Sequence, residues 1–103
     1  MEKLEVLVLL DVSSLEDKEK FEKHLKKEGF NIVEEEAFVY TAQSSTTTFS
    51  TKAYILEVFR KGLQKNSFKD ANLIFLLNET PYPAYYYDHD TNDFELSKEE
   101  ESK

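Results

Sequence analysis

The segment LEVLVLLDVSS, residues 4–14, decides the fold of this 103-residue chain. Its leucines and valines form an apolar run bounded by charge, which predicts a largely buried β-strand. The run ends on a single carboxylate, Asp11, and a helix-like segment follows at once. Asp11 is therefore either a functional side chain, such as a metal ligand, or only the polar lead-in to a helix.

Two segments downstream have helical patterns. LEDKEKFEKHLKKEG, residues 15–29, spaces its apolar side chains one turn apart and predicts a helix that starts at Ser13 or Ser14 and ends near Gly29. KAYILEVFRKGLQK, residues 52–65, carries an apolar stripe at helical spacing and predicts a second helix, with Ser50 or Thr51 as its N-cap.

Strand patterns fill most of the remaining chain. FNIVEEEAFVYTA, residues 30–42, predicts a strand or tight hairpin with an acidic bend around Glu35, and the hydroxyl-rich QSSTTTFST, residues 43–51, predicts a loop. ANLIFLL, residues 71–77, predicts a central strand. AYYYD, residues 84–88, and DFELS, residues 93–97, predict an edge strand or hairpin.

This order of elements, β-α-β(β)-α-β-β, predicts an α+β fold of ferredoxin-like βαββαβ type. We expect an antiparallel sheet with both helices on one face and an extra edge strand or hairpin at the C-terminus. The chain is expected to form a single domain over residues 1–97. Residues 98–103 are expected to form a frayed acidic tail.

Composition narrows the function classes. The chain has no cysteine, which excludes disulfides and thiolate metal sites, and no stretch approaches the ~18 apolar residues of a membrane span. We therefore expect a cytoplasmic protein without a membrane partner. A net charge of −8 and a single arginine, Arg60, disfavour nucleic acid as a partner, because affinity for phosphate backbones comes mainly from basic side chains.

Several familiar site motifs are not supported. With only Gly29 and Gly62, no glycine-rich phosphate loop can form. The stretch DHDTND, residues 88–93, resembles the start of a calcium loop, but Asp93 stands where the loop needs glycine for its sharp turn. A hairpin turn rich in Asp and Asn is the better interpretation of that stretch.

The tyrosines Tyr85, Tyr86 and Tyr87 form the densest aromatic group in the chain. Alternate tyrosines on an edge strand can face a dimer partner or the protein's own core, because each ring has a large apolar body and a polar tip. We treat all three as candidate interface residues.

The quoted segments together resemble the CRISPR-associated protein 2 and virulence-associated protein D superfamily. The resemblance rests on LVLLDVSS, a helix that ends in EGF, NIVEEEAFVYTA, a second helix and ANLIFLLNE, and it covers residues 4 to about 88. It implies a ferredoxin-like homodimer with Asp11 near the two-fold axis. It also implies that Asp11 is the catalytic residue and metal ligand of a magnesium-dependent endonuclease, although some members are non-catalytic scaffolds for protein and DNA.

The chain departs from the family pattern near that site. Glu34 and Glu36 stand where the family tends to have Gln and Ser, and Ser13 and Ser14 follow Asp11 where arginines are frequent. These departures favour a second hypothesis, a non-enzymatic regulatory or protein-interaction module of ferredoxin-like fold. In that module the 43–51 loop and the tyrosine edge would contact a protein or a small ligand.

Overall fold

The computed structural model of the chain describes residues 3–96, so the predicted tail at 98–103 lies outside the described residues. Within that range the chain is α+β, with two helices and an antiparallel sheet of seven strands. The predicted α+β class, antiparallel sheet and pair of helices are confirmed. In chain order the elements are β1 (Leu4–Ser13), α1 (Lys18–Lys27), β2 (Asn31–Ile32), β3 (Val39–Ser44), α2 (Thr48–Gln64), β4 (Asp70–Leu77), β5 (Thr80–Pro81), β6 (Tyr85–Asp88) and β7 (Asp93–Leu96).

The apolar run that opens the chain is the organising strand of the sheet. The strand order is β2-β3-β1-β4-β6-β7, with β5 also paired to β4. β1 pairs antiparallel with β3 over Leu4–Leu9 and with β4 over Val6–Ser13. Both long neighbours therefore take their register from β1, and the predicted central strand β4 is confirmed.

Burial alternates along β1, so one face of the sheet is covered and the other is not. Val6, Val8 and Leu10 are buried, whereas Leu9 and Asp11 are exposed. The covered face forms one core with side chains from both helices, including Phe21, Leu25, Ile55, Phe59 and Leu63. Both helices thus pack on the same face. The prediction of a largely buried β1 holds for that face only, and we call the other one the open face.

The start of α1 differs from the prediction that placed the N-cap at Ser13 or Ser14. β1 continues through Ser13, and the N-cap is Asp17, whose Oδ1 accepts a hydrogen bond from the Lys20 backbone N–H at 3.0 Å. The serines are occupied by the strand and its exit turn, so the helix begins at the next side chain able to cap it. Gly29 follows the helix at φ 98°, as its predicted C-terminal position requires.

The start of α2 is also earlier than predicted. Thr47 is the N-cap and its hydroxyl accepts from the Ser50 backbone N–H at 3.1 Å, so the predicted caps Ser50 and Thr51 lie inside the helix. Thr51 is buried instead, and its hydroxyl donates to the Thr47 carbonyl at 2.8 Å. Among so many adjacent hydroxyl residues, tertiary packing of Thr51 decides which one caps.

The short connections match the turn chemistry of their residues. β2 and β3 form the predicted hairpin, and the turn between them exposes Glu34–Glu36. Asn78 and Glu79 both have positive φ, which is the geometry of a two-residue type I′ hairpin between β4 and β5. The stretch after Asp88 forms the predicted hairpin turn between β6 and β7.

Candidate functional site

The centre of the open face is an apolar patch built from three neighbouring strands. In the register of the sheet, Leu9 lies between Val39 and Ile74, and Leu7 lies beside Leu76 in the next row. Leu9 is 38% exposed and Ile74 is 39% exposed, while the other three side chains are half-buried. We call these five residues the open-face patch. Their clustering matters because the largest contiguous apolar patch on a folded monomer is often a functional surface.

Acidic side chains occupy one end of the open face. Asp93 lies opposite Asp88 at the start of β7, but its Oδ1 is 3.8 Å from Arg60 Nε, so we count it as ion-paired with the helix. Asp11 follows the patch on β1, and the side-chain alternation of β4, β6 and β7 turns three further carboxylates, which have no such partner within residues 3–96, to the same face. These are Asp70, Asp88 and Glu95. The four carboxylates give this end of the face a concentrated negative charge.

The opposite end of the open face is close to neutral. Lys3 and Glu5 precede the patch on the β1 side, and Gln43 lies opposite Glu5 on β3. The Gln43 amide Nε2 donates to Glu5 Oε2 at 2.9 Å. Because the amide is uncharged, Lys3 and Glu5 contribute one positive and one negative charge to this end, and these cancel. The open face is therefore polarised along its strands.

Asp11, the candidate catalytic residue and metal ligand, is exposed at the acidic end. It lies opposite Asn72 of β4, so one carboxylate and one carboxamide oxygen share the open face. Within residues 3–96, no three His, Cys, Asp or Glu side chains come together in a group able to hold a metal ion. A magnesium ion at Asp11 and Asn72 would have to take its remaining oxygens from water or phosphate.

The three candidate interface tyrosines do not share one environment. Tyr87 is buried, and its hydroxyl accepts a hydrogen bond from Gln64 Nε2 at 3.1 Å. Tyr85 is half-buried and stacks on Phe75 of the core. Tyr86 alternates to the open face, opposite Asn72. Tyr86 is thus the member of the trio placed next to the open-face patch and the acidic end.

A second concave surface lies where the hydroxyl-rich loop meets α2. A groove of about 460 Å³ separates the end of β3 and the first turns of α2 from the turn after α1. Its apolar lining includes Val6 and Phe30, and Phe30 stacks on Tyr54 with a ring-centroid distance of 6.4 Å. Its hydroxyl lining comes from Ser44, Ser45, Thr46 and Ser50. The 43–51 segment therefore supplies hydroxyl groups to the lining of a groove whose other lining residues include apolar side chains.

Tyr54 at this groove is tied to the end of α1. Its hydroxyl donates to the Glu28 backbone carbonyl at 2.8 Å, with Glu28 Oε1 at 2.9 Å from the same oxygen. Partial burial, followed by the Glu28 side chain, raises the pKa of Tyr54 above its ordinary value. On the same helix Phe49 is 80% exposed, a large apolar side chain standing outside the core.

Sequence reasoning missed the open-face patch, although a signal for it was present. A strand covered on one side should alternate apolar with polar residues, but LEVLVLLD has leucine at both parities. That pattern predicts a largely buried strand, and it does not by itself show that one side stays open. In the structure the second side carries Leu7 and Leu9 with nothing from residues 3–96 packed over it.

Comparison of the chain with protein-family models, with curated proteins and with solved structures finds no match. No helix in the described part of the chain is long and apolar enough to cross a membrane.

Proposed function

We propose that this chain is a small homodimeric module of ferredoxin-like arrangement that binds a partner rather than catalysing a reaction. The strand order supports the ferredoxin-like part. β3 lies between β1 and β2, and β1 lies between β3 and β4, so each β-α-β unit is split by a strand of the other. A cytoplasmic location remains part of this proposal.

The open-face patch is the observation that carries the homodimer. The 36 strand residues of the sheet, at ~3.3 Å along each strand and ~4.8 Å between strands, give a face of roughly 570 Å² in projection. Two such faces together bury on the order of 1,000 Å², which reaches the size expected of a specific interface. An apolar centre with a polar rim is also the usual anatomy of such interfaces.

The partner-binding role is assigned to the groove beside α2. It combines an apolar wall with several hydroxyls, the mixture that orients small ligands and peptide segments in protein grooves. The exposed ring of Phe49 lies on the adjoining first turn of α2, where an aromatic anchor can contact a protein partner. In this proposal the open face joins two copies, and each copy keeps its groove free.

The homodimer is tested by Leu9→Lys, measured by sedimentation equilibrium over a range of concentrations. Because a two-fold interface contains each residue twice, losing two buried leucines should cost about 3 kcal/mol and weaken dimerisation by ~100-fold. Phe49→Lys is the matched control, since it places the same charge at an exposed apolar residue away from the open face.

A dimer that is weakened by Leu9→Lys and unchanged by Phe49→Lys supports the proposal. A monomeric wild-type chain at concentrations of tens of micromolar, or a dimer equally tight in Leu9→Lys, would contradict it. Circular dichroism of both variants should match the wild type, because both positions are exposed in the protomer.

The second candidate function is the magnesium-dependent endonuclease suggested by the resemblance. The observation that favours it is the placement of Asp11 and Asn72 side by side on an accessible face. Mg²⁺ is commonly held by one or two carboxylates together with water and substrate phosphates. In that function Asp11 binds the ion and Asn72 contributes an oxygen or orients a bound water.

This alternative is tested by a magnesium titration followed through amide chemical shifts, on wild type and on Asp11→Asn. Saturable shifts centred on Asp11 and Asn72 that disappear in the variant would favour a metal site, and cleavage of RNA and DNA should then be lost in Asp11→Asn. Nuclease activity that persists in Asp11→Asn would exclude Asp11 as the catalytic residue. Flat titrations would leave the binding module as the supported function.

A further inference from the structure

We infer that two copies of this chain stack open face to open face with their strands antiparallel, so that the two Asp11 side chains lie at opposite ends of the interface. This inference rests on the proposed homodimer and adds its symmetry. It also separates this chain from the arrangement implied by the family resemblance, in which Asp11 lies near the two-fold axis.

Two-fold symmetry leaves two simple ways to stack one sheet on a copy of itself. If the axis runs along the strands, each end of the face meets the same end of the partner. If the axis runs across the strands, each end meets the opposite end. In both arrangements the open-face patch lies at the centre, so apolar contact alone does not choose between them.

The charges of the open face choose the second arrangement. The acidic end has four carboxylates, Asp11, Asp70, Asp88 and Glu95, whereas the other end has Lys3, Glu5 and the amide of Gln43. An axis along the strands brings both acidic groups to the same end of the interface, with the two Asp11 side chains facing each other. An axis across the strands instead places Asp11 opposite Glu5 of the partner, with the partner's Lys3 in the next row, so the end that faces each acidic group has a net charge near zero. Like charges placed across an interface disfavour that arrangement.

Antiparallel stacking sets the distance between Asp11 of one copy and Asp11 of the other. The centre of the patch on β1 lies between Leu7 and Leu9, so Asp11 and Glu5 are each three residues from the axis, on opposite sides. With ~3.3 Å per residue and sheets ~10 Å apart, antiparallel stacking separates the two Asp11 positions by about 22 Å. It brings Asp11 of one copy to about 10 Å from Glu5 of the other.

Because the chain has no cysteine, these distances can be measured with single spin labels. Asp11→Cys and Glu5→Cys are each labelled with a nitroxide, and electron–electron dipolar coupling is recorded for each variant and for an equimolar mixture. Sedimentation of the labelled samples gives the fraction of dimer. Phe49→Cys serves as the labelled control on a surface outside the open face.

Antiparallel stacking predicts long Asp11–Asp11 and Glu5–Glu5 distances, and a new short distance that appears only in the mixture. The Glu5→Cys sample matters most, because it leaves the four carboxylates unchanged. Short distances within the Asp11→Cys sample and within the Glu5→Cys sample, with none gained on mixing, would overturn the inference while leaving the homodimer intact. A monomer in every sample, the unlabelled wild type included, would overturn both.

Discussion

Both faces of the central sheet carry large apolar side chains, but these side chains are buried on one face and partly exposed on the other. On the covered face Val8, Leu73 and Phe75 are fully buried under two helices. On the open face Leu9 and Ile74, adjacent along the same strands, keep more than a third of their surface exposed. The covered face accounts for the stability of the protomer. The open face contributes little to it within residues 3–96, and we assign it to association.

This difference shows why apolar content alone is a poor guide to a strand's role. β1 presents apolar residues to both sides, yet its own chain supplies helices for one side only. The remaining side must be solvated, covered by another molecule, or mixed with polar residues. Here it is apolar at the centre and charged at one end, and the proposed association through this face would cover the apolar centre.

The largest expected effect is a difference in the free energy of unfolding between a substitution on the covered face and one on the open face. Phe59→Ala removes a fully buried ring that contacts Phe21, Phe30 and Tyr40, so we expect a loss of about 3–5 kcal/mol in the free energy of unfolding. Ile74→Ala on the open face should cost less than about 1.5 kcal/mol in the protomer, because Ile74 is already 39% exposed there. Urea unfolding in the Leu9→Lys background measures both without a contribution from dimerisation.

Equal losses for Phe59→Ala and Ile74→Ala in that background would show that the open face is as important to the protomer as the core. The distinction between a stabilising face and an associating face would then be wrong.

The contact between the two helices should show the next largest effect. A Cβ atom added at Gly62 would lie 2.9 Å from His24 Cδ2 and 3.0 Å from Phe21 Cε1. We therefore expect Gly62→Ala to destabilise the protomer by about 1–3 kcal/mol through overpacking, although alanine is the better helix former. Thermal and urea unfolding check this value.

Ala53→Gly is the control for helix propensity, because Ala53 is exposed in the same helix. It should cost about 1 kcal/mol from propensity alone. If Gly62→Ala instead raises the stability by a similar amount, the close approach of α1 to α2 at Gly62 would be contradicted.

A smaller effect concerns pH and the covered face. The Tyr40 hydroxyl is buried and donates to Glu22 Oε2 at 2.9 Å, and burial, with a further contribution from Glu22, raises the pKa of Tyr40 far above its usual value. Because the pKa of Tyr40 is higher in the folded than in the unfolded chain, the protonated hydroxyl stabilises the fold, and this stabilisation is fully present below the unfolded pKa of about 10. It is lost as the pH rises above that value.

The test compares wild type with Tyr40→Phe from neutral pH to about pH 11. At neutral pH the variant should lose about 1 kcal/mol with the hydrogen bond. Above pH 10 the wild type should lose stability more steeply than the variant, by up to about 1.4 kcal/mol for each pH unit. Parallel pH profiles would show that Tyr40 ionises as readily in the folded chain as in the unfolded one.

Much of the protomer could be predicted from local patterns. The apolar runs at β1 and β4, the helix ending at Gly29, and the hairpin turn after Asp88 each depend on nearby residues, and the structure agrees with them. The predicted N-cap residues of both helices are wrong. Asp17 and Thr47 cap the helices in place of nearby serines and threonines, because the choice depends on packing in the folded chain. The two-residue strand β5 was missed because it depends on register with β4.

The candidate site was predictable only in part. Asp11 was found from its position at the end of an apolar run, and the structure places it on an accessible face. Its neighbours there, Asn72 on β4 and Tyr86 on β6, come from segments more than sixty residues away, so no local pattern could bring them together. The grouping of carboxylates at one end likewise requires the register of four strands.

The most direct test of the association assigned to the open face is a filtered NOE experiment on a mixed sample, half of it ¹³C-labelled and half unlabelled. Nuclear Overhauser contacts recorded only between unlike copies report which side chains meet across a dimer. Antiparallel stacking of two open faces predicts intermolecular contacts among the methyl groups of the open-face patch, with Leu7 of one copy close to Leu9 of the other. Intermolecular contacts confined to the tyrosine edge or to the groove beside α2, or none at all, would contradict it.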